Sequence, residues 1–218
     1  MARLTAIFGG TFDPVHLGHL RVALEISEAL AADVRLLPAP VPPHRPQPLA
    51  SAGQRMAMLE LGLRGCTPLH ADDRELRRDG PSYSVDTLAE LRVELGPDAP
   101  LVLCVGADAF AGFATWHRYE DVFDLAHVLV LTRPGANDRV AWPEVLRAQA
   151  VARRGTLGQL REHAAGRIAE LSVTPLAISA TAVRTLIAAG RDPRFLVPDA
   201  VAEYIDAHRL YRSGSVRD

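Results

Sequence analysis

Short apolar runs that stop at glycine, proline or threonine recur along the chain and predict buried strands. Four such runs are LTAIFGG at 4–10, VRLLP at 34–38, LVLCVG at 101–106 and HVLVLT at 127–132. The last two are nearly all apolar, which is typical of strands that are covered on both faces. A sheet with layers on both sides is therefore expected.

Between these runs, apolar residues recur at helical intervals. The predicted helices cover 17–30, 51–63, 84–95, 179–190 and 197–211. Serine at the start of several of them is a favourable N-cap, and Pro198 fits the first turn of the last one. Strands that alternate with helices indicate βαβ units, and so an α/β fold with a doubly wound parallel sheet, helices on both faces and a helical C-terminal portion.

The 218 residues allow one large domain or two very small ones, and no repeat or low-complexity linker divides them. We therefore expect a single domain over 1–218, with a core formed by 1–135 and 173–190. The segment 136–172 is predicted to be a variable insert, helical and peripheral over 139–166, and 191–212 is predicted to be the C-terminal helical portion. Six of the 16 prolines lie between 38 and 48, which predicts a long loop there.

Composition excludes several classes of function. All 24 basic residues are arginine, so a Walker A loop, a pyridoxal Schiff base and a protein kinase site, which each need lysine, are ruled out. A net charge of −2 gives no reason to expect binding to nucleic acid or an anionic membrane. Cys66 and Cys104 form no CxxC pair, so neither a disulfide framework nor a zinc site is indicated. No apolar run is long enough to cross a bilayer, and no targeting segment is recognised, so a cytoplasmic protein is expected. No pattern in the sequence predicts its oligomeric state.

The segment GGTFDPVHLGH at 9–19, directly after the first predicted strand, is the strongest candidate for chemistry. Gly9 and Gly10 can adopt backbone angles closed to other residues and allow a ligand to approach the main chain. His16 and His19 share one face of the first helical turn, beside unpaired N–H groups that favour an anion. Two imidazoles there suit a phosphate group. A metal-binding pair, or two histidines that cap and pack, are the alternatives.

Polar residues follow two other strands and begin a later helix. Gly106 and Asp108 follow the strand at 101–106; the carboxylate suits ribose hydroxyls or the cap of the next helix. Arg133 follows the strand at 127–132, as a surface arginine or a nucleotide contact. In ISATAVR, Ser179 and the backbone near Thr181 offer a second helix N-terminus for phosphate, with Arg184 within reach; an ordinary capped helix with a solvated arginine is the alternative.

These residues resemble the nucleotidyltransferases with an HxGH motif, which class I aminoacyl-tRNA synthetases share. Further matches make the chain similar to the bacterial nicotinate-nucleotide adenylyltransferases over nearly its whole length. They are PPHR at 42–45, PSYSVDTL at 81–88, GAD at 106–108, Trp116, TRPG at 132–135, ISATAVR at 178–184 and VPDAVAEYIDAHRLYR at 197–212. The segment 136–172 matches least. The resemblance implies a Rossmann-like fold.

The resemblance also implies an activity: adenylate passes from ATP to nicotinate mononucleotide, with Mg²⁺ on the ATP phosphates and no covalent intermediate. It gives His16 and His19 the catalytic role. The implied ATP-binding residues are Gly9, Gly10, Thr11, Phe12, His16, His19, Gly106, Asp108, Arg133, Ile178, Ser179, Thr181 and Arg184. The implied residues for nicotinate mononucleotide are His44, Arg45, Thr87, Trp116 and His117. No protein ligand of the metal is implied.

Two kinds of alternative function stay open. One is a related adenylyltransferase that acts on phosphopantetheine or on nicotinamide mononucleotide; the DTL segment, Trp116 and ISATAVR argue against the former. The other is a non-catalytic dinucleotide-binding module, although the chain contains no G-x-G, which a Rossmann fingerprint requires. Comparing pyrophosphate release among acceptors separates these possibilities.

Overall fold

A parallel sheet of six strands organises the chain in the computed structural model, which describes residues 3–40, 47–133 and 142–212. The strands are β1 (Thr5–Gly10), β2 (Asp33–Pro38), β3 (Leu69–Ala71), β4 (Leu101–Gly106), β5 (His127–Thr132) and β6 (Ile168–Ser172). Their order across the sheet is β3-β2-β1-β4-β5-β6, and every pairing is parallel. The doubly wound sheet is therefore confirmed. Its order reverses between β1 and β4, the point at which such sheets bind ligands.

Helices cover both faces of the sheet. They are α1 (Leu17–Leu30), α2 (Ala52–Gly62), α3 (Ser84–Leu95), α4 (Ala107–Ala111), α5 (Val122–Leu125), α6 (Glu144–Ala152), α7 (Ala180–Ala188) and α8 (Asp199–Ala207), with 3-10 turns at Phe113–Thr115 and Gln159–Arg161. One face packs against α1, α2, α7 and α8, and the other against α3 to α6. The helical C-terminal portion thus belongs to one of the two layers.

Two hydrophobic cores, one on each face, explain why β4 is almost entirely apolar. Leu101, Leu103 and Val105 enter the core beneath α3 to α6. Val102 and Cys104, at the alternate positions, enter the core beneath α1, α2, α7 and α8. Successive side chains of a strand point to opposite faces, so a central strand with two covered faces needs apolar residues throughout.

The two edge strands, β3 and β6, are absent from the sequence-based prediction. β3 has only three residues, which is too short for a periodic signal. β6, with the sequence IAELS, lies within 136–172 and leaves Glu170 and Ser172 exposed. An edge strand has less apolar cover than a central one, so its pattern is weaker. The segment 136–172 therefore contributes a strand to the sheet as well as α6.

Among the described residues, no helix is both long and apolar enough to cross a membrane. Cys66 and Cys104 are free thiols, the latter buried in β4. The same part of the chain contains no group of three or more histidine, cysteine or carboxylate side chains arranged to hold a metal ion.

Candidate active site

A cleft of about 470 Å³ opens at the carboxyl ends of β1, β4 and β5. Because β1 and β4 are neighbours at the point where strand order reverses, their exits diverge and leave this space between them. The cleft brings together many predicted ATP-binding residues: His16, His19, Gly106, Asp108, Arg133, Ile178, Ser179 and Thr181. A larger, open groove of about 1100 Å³, between α7 and α8, contains none of the predicted site residues.

His16 and His19 form a stacked pair at the start of α1. Their ring centroids are 3.6 Å apart. Nδ1 of His16 accepts the His19 backbone N–H at 3.3 Å, and Nδ1 of His19 accepts the His16 N–H at 3.4 Å. Since both Nδ1 atoms act as acceptors, each neutral ring carries its proton on Nε2. Within the described part of the chain neither Nε2 has a partner, so two N–H donors remain available at the cleft.

Burial keeps both imidazoles neutral. Loss of hydration lowers the pKa of His16 to about 4. Loss of hydration, and then repulsion from His16, lowers the pKa of His19 to about 3. Near neutral pH the pair therefore acts as two uncharged hydrogen-bond donors.

The glycines near the histidine pair differ in the space that a side chain would find at each position. A Cβ on Gly18 would lie 3.0 Å from the His16 ring, and a Cβ on Gly10 would lie 2.9 Å from the Phe12 ring. A Cβ on Gly9 would meet nothing within 4 Å. Gly9 and Gly10 both continue β1, and the unusual backbone angle belongs instead to Phe12, with a φ of 48°.

Five of the residues predicted to bind ATP do not line the cleft: Gly9, Gly10, Thr11, Phe12 and Arg184. The Phe12 side chain is buried, and its ring meets His19 edge-on with the centroids 5.0 Å apart. The structure therefore places Phe12 in the core, packed against the histidine pair.

The N-terminus of α7 forms the opposite wall of the cleft. Ser179 caps this helix by accepting the Ala182 N–H at 3.1 Å. Arg184 is turned towards the loop after β1, where it donates to the Asp13 carbonyl at 2.6 Å and to Thr181 Oγ1 at 3.2 Å. Ser179, Ala180 and Thr181, at the start of α7, line the cleft, and Arg184 connects α7 to the histidine-bearing loop.

The predicted residues for nicotinate mononucleotide gather at the start of α3. The rings of Tyr83 and His117 lie 4.3 Å apart, which brings α3 beside Trp116. Trp116 packs on Phe113 with centroids 4.8 Å apart. His44 and Arg45 lie outside the described residues.

Thr87 itself offers no free donor. Its N–H donates to the Tyr83 carbonyl at 3.2 Å, and its hydroxyl donates to Glu75 Oε1 at 2.9 Å. Among the described residues, the unbonded N–H groups at this helix start belong to Ser84 and Val85, as expected for a first helical turn.

Sequence reasoning missed the residues that hold this helix start. Arg78 donates to Ser82 Oγ at 2.6 Å and to Thr87 Oγ1 at 3.2 Å. Burial raises the pKa of Glu75, the acceptor of the Thr87 hydroxyl. Arg78 and Glu75 both lie in the stretch DDRELRRDG at 72–80, whose charge pattern is that of an ordinary solvated surface.

Asp13 was also missed, although it lies inside the signature. It is buried, and its carboxylate accepts the N–H of Leu49 at 2.8 Å, the N–H of Ala50 at 3.1 Å and the hydroxyl of Tyr211 at 2.7 Å. It thereby joins the histidine-bearing loop to the start of α2 and to the segment after α8. Burial raises the pKa of the Tyr211 hydroxyl, so this group remains a donor.

Comparisons with known proteins agree on one family. The family model described as cytidylyltransferase-like matches residues 7–186. The chain is 50% identical to proteins of Pseudomonas fluorescens and Pseudomonas aeruginosa, and the match covers 98% of this chain and 99% of each relative. A protein of Cellvibrio japonicus is 49% identical over 94% of this chain and 97% of its own length. All three are described as probable nicotinate-nucleotide adenylyltransferases.

The fold has counterparts among solved structures. Plasmodium falciparum nicotinic acid mononucleotide adenylyltransferase complexed with NaAD superimposes with a TM-score of 0.70 over 96% of this chain and 97% of that chain. The two sequences are 15% identical, so this likeness concerns the fold alone.

Proposed function

The chain belongs to the nicotinate-nucleotide adenylyltransferases of the cytidylyltransferase-like family, and from this premise we propose how its cleft carries out the reaction. The enzyme transfers adenylate from ATP to nicotinate mononucleotide, which gives nicotinate adenine dinucleotide and pyrophosphate in NAD biosynthesis. The observation that carries the assignment is the stacked His16–His19 pair, with both Nε2–H donors available where β1 and β4 part.

The phosphates of ATP lie between the histidine pair and the N-terminus of α7. Both walls present N–H donors, and the α7 terminus adds a partial positive charge that favours anions. Arg133, at the end of β5, is positioned to contact the same phosphates, and Asp108 can accept ribose hydroxyls. Gly9, where a side chain would enter open space, leaves the end of β1 free for close approach of the nucleotide.

The reaction is an in-line displacement at the α-phosphorus of ATP. An oxygen of the mononucleotide phosphate forms the new P–O bond while the bond to the departing pyrophosphate breaks. The phosphate nucleophile is already largely ionised at neutral pH, with a second pKa of about 6, so no strong base is needed. The Nε2–H groups of His16 and His19 stabilise the negative charge that develops, and their neutral state is maintained by burial.

Nicotinate mononucleotide binds at the start of α3. Trp116 supplies a flat apolar face for the pyridine ring. The free N–H groups of Ser84 and Val85, beside Thr87 and His117, suit a carboxylate, and the helix terminus favours its charge over a neutral amide. His44 and Arg45 are proposed to bind the mononucleotide phosphate, as the resemblance implies.

Members of this family use ATP, generally with a divalent metal, and we propose that Mg²⁺ enters bound to the nucleotide. Asp108 is the single carboxylate among the described residues that line the cleft, and it is the residue available to contact the hydrated ion. This sparse donor set fits Mg²⁺, which keeps several waters and binds through few protein ligands and substrate phosphates. The ion would neutralise phosphate charge. Because ATP is drawn from the cytoplasm, we place the reaction there.

Pyrophosphate release with ATP and Mg²⁺ tests the proposed function. Nicotinate mononucleotide, nicotinamide mononucleotide and phosphopantetheine serve as alternative acceptors. We expect turnover with the nicotinate form and a loss of about 10²–10³ in rate for His19→Ala, the cost of removing one preorganised donor. The control is His208→Ala, which alters an exposed histidine on the segment after α8.

Each other outcome contradicts a defined part of the proposal. Turnover of phosphopantetheine in place of nicotinate mononucleotide would overturn the substrate. Equal use of the nicotinamide form would remove the role given to the α3 terminus. Nucleotide binding without turnover of any acceptor would indicate a binding module.

A further inference from the structure

Arg55 is a fully buried arginine on the apolar face of α2. Its side chain is 1% exposed and lies on the same helical face as the core residues Met58 and Leu59. A buried charge is costly unless it is paired and hydrogen-bonded. Within the described part of the chain Arg55 forms no salt bridge, and Nε has no hydrogen-bond partner. Burial accordingly lowers the pKa of its guanidinium.

The partners of Arg55 are three backbone carbonyls. One terminal nitrogen donates to the Thr11 carbonyl and to the Ala39 carbonyl, both at 2.7 Å. The other donates to the Pro40 carbonyl at 2.9 Å. We call Arg55 and these three carbonyls the carbonyl clamp.

All three carbonyls belong to residues that come directly after a strand, at the cleft end of the sheet. Thr11 directly follows β1, and Ala39 and Pro40 directly follow the neighbouring strand β2. The Ala39 N–H also donates to the Gly10 carbonyl at 2.9 Å, so the two exits are bonded to each other as well as to Arg55. His16, whose Nε2–H is one of the two donors described above, follows Thr11 by five positions.

Arg55 is close to the other anchor of the same loop. Asp13, which holds the start of α2 and Tyr211, attracts the Arg55 guanidinium electrostatically. The loop from Thr11 to His16 is therefore held from one side by the carbonyl clamp and from the other by the Asp13 carboxylate.

We propose that Arg55 is a positioning residue for adenylyl transfer: by fixing the carbonyls after β1 and β2 it sets the path of the Thr11–His16 loop and so the placement of the His16 and His19 donors. This inference rests on the proposed function. A displacement of about 1 Å at a catalytic group can reduce a rate by roughly 10²-fold, so an anchor outside the cleft controls turnover through geometry alone.

Arg92 provides a matched control. It lies on α3 and also binds carbonyls, those of Leu125 at 2.6 Å and Ala164 at 2.8 Å among them. These carbonyls stand near the amino ends of β4 and β5, the end of the sheet opposite the cleft. The two arginines therefore make the same type of contact at opposite ends of the sheet.

The experiment compares Arg55→Lys with Arg92→Lys in the full chain. Lysine keeps the charge but replaces the planar fork with a single ammonium, which cannot reproduce the bonds of the guanidinium. Steady-state kinetics are measured well below each melting temperature and are normalised to the folded fraction. We expect Arg55→Lys to lower kcat by roughly 10- to 100-fold with little change in KM, because donor placement is lost while binding groups remain. We expect Arg92→Lys to lower the melting temperature and leave kcat unchanged.

A second readout does not depend on turnover. The ¹H–¹⁵N NMR signals of the His16 and His19 imidazoles report the surroundings of the donors, and we expect them to shift in Arg55→Lys and to stay in place in Arg92→Lys. If Arg55→Lys does not fold, Arg55→Gln and Arg92→Gln, which remove the buried charge and keep an N–H donor, provide the same comparison.

A kcat for Arg55→Lys equal to the wild-type value, or equal losses in both variants, would overturn the inference and leave Arg55 a structural residue. Unchanged imidazole signals in Arg55→Lys would overturn it as well. Absence of turnover in the wild-type enzyme would instead overturn the proposed function, and the NMR comparison would still decide whether Arg55 places the histidines.

Discussion

Histidines whose Nδ1 accepts a backbone N–H lie at both ends of the sheet, but the two ends differ in the partner of Nε2. At the amino end, His127 is buried, accepts the Arg167 N–H at Nδ1 at 3.0 Å, and has Nε2 2.9 Å from the His163 carbonyl. At the cleft end, His16 and His19 also accept backbone N–H groups at Nδ1. The histidines therefore share one tautomer, with the proton on Nε2.

The difference lies in what the Nε2 proton meets. At the amino end it is bound to a carbonyl of the protein, so its hydrogen-bonding capacity contributes to stability. At the cleft end, within the described residues, it has no protein acceptor, and the proposed function assigns it to the substrate phosphates. A donor that is held in place but unpaired is what stabilisation of a developing charge requires.

The largest expected effect tests this difference directly. His16→Asn keeps a residue that caps helices well and removes the ring, so we expect the melting temperature to change little and kcat to fall by about 10²–10³. His127→Ala should do the reverse. It removes the hydrogen bonds to the Arg167 N–H and the His163 carbonyl, at about 0.5–1.5 kcal/mol for each bond in unfolding free energy, with kcat unchanged for the folded protein.

Denaturant unfolding and steady-state kinetics on both variants check this expectation. Loss of activity in His127→Ala, or retained activity in His16→Asn, would contradict the division of roles between the two ends.

A smaller effect distinguishes Gly9 from Gly10, two neighbouring residues at the cleft end of β1. Gly10→Ala would place a methyl group 2.9 Å from the Phe12 ring, so we expect a loss of about 1–3 kcal/mol in unfolding free energy. Gly9→Ala meets no protein atom within 4 Å, so stability should hold while the affinity for ATP falls. Thermal unfolding and KM for ATP are the measurements. An unaltered KM in Gly9→Ala would show that the nucleotide does not approach this strand end.

A further effect is the dependence of stability on pH. In the unfolded chain the histidine pKa is near 6.5, whereas in the folded chain the pKa falls to about 4 for His16 and to about 3 for His19, and burial also lowers the pKa of His127. Between about pH 6 and 5 the unfolded state therefore binds more protons, and stability falls as pH falls, by up to about 1.4 kcal/mol per pH unit for each histidine.

The slope of the unfolding free energy against pH should decrease across this range in His127→Gln, and it should also decrease in the double variant of His16 and His19 to Asn. An identical slope in all three proteins would contradict the neutral state of these rings. Since both cleft rings stay neutral in the folded protein down to about pH 5, kcat should not decline on their account over the same range.

Local pattern was enough to predict most of the fold. The bounds of α1 and α3 agree with the periodicity at 17–30 and 84–95. β1, β4 and β5 lie within the predicted apolar runs, and β2 begins one residue before its run, at Asp33. The edge strands were not predicted: β3 has only three residues, and β6 has exposed positions that weaken its apolar pattern. Secondary structure in the sheet centre is visible in sequence because two cores impose apolar residues at every position of a strand.

In the site too, contacts between residues that are close in sequence could be predicted, and contacts between distant residues could not. His16 and His19 are three residues apart, and the motif alone predicts that they share a face of a helix; their contacts with substrates stay a prediction. Arg55 and Asp13 act on partners that are distant in sequence: Arg55 is 44 positions from Thr11, and Asp13 is 198 positions from Tyr211. An arginine on the apolar face of α2 is a local signal of an unusual contact, but only the fold identifies the carbonyls that it binds.

The bond between Asp13 and Tyr211 has a consequence for biosynthesis. Asp13 leaves the ribosome before Tyr211, which is 198 positions further along the chain. At roughly 5–20 residues per second, about 10 to 40 seconds of translation separate them. During that interval the loop that contains His16 lacks one of its anchors, so a nascent chain completes the contacts of this loop only after α8 and Tyr211 have been made.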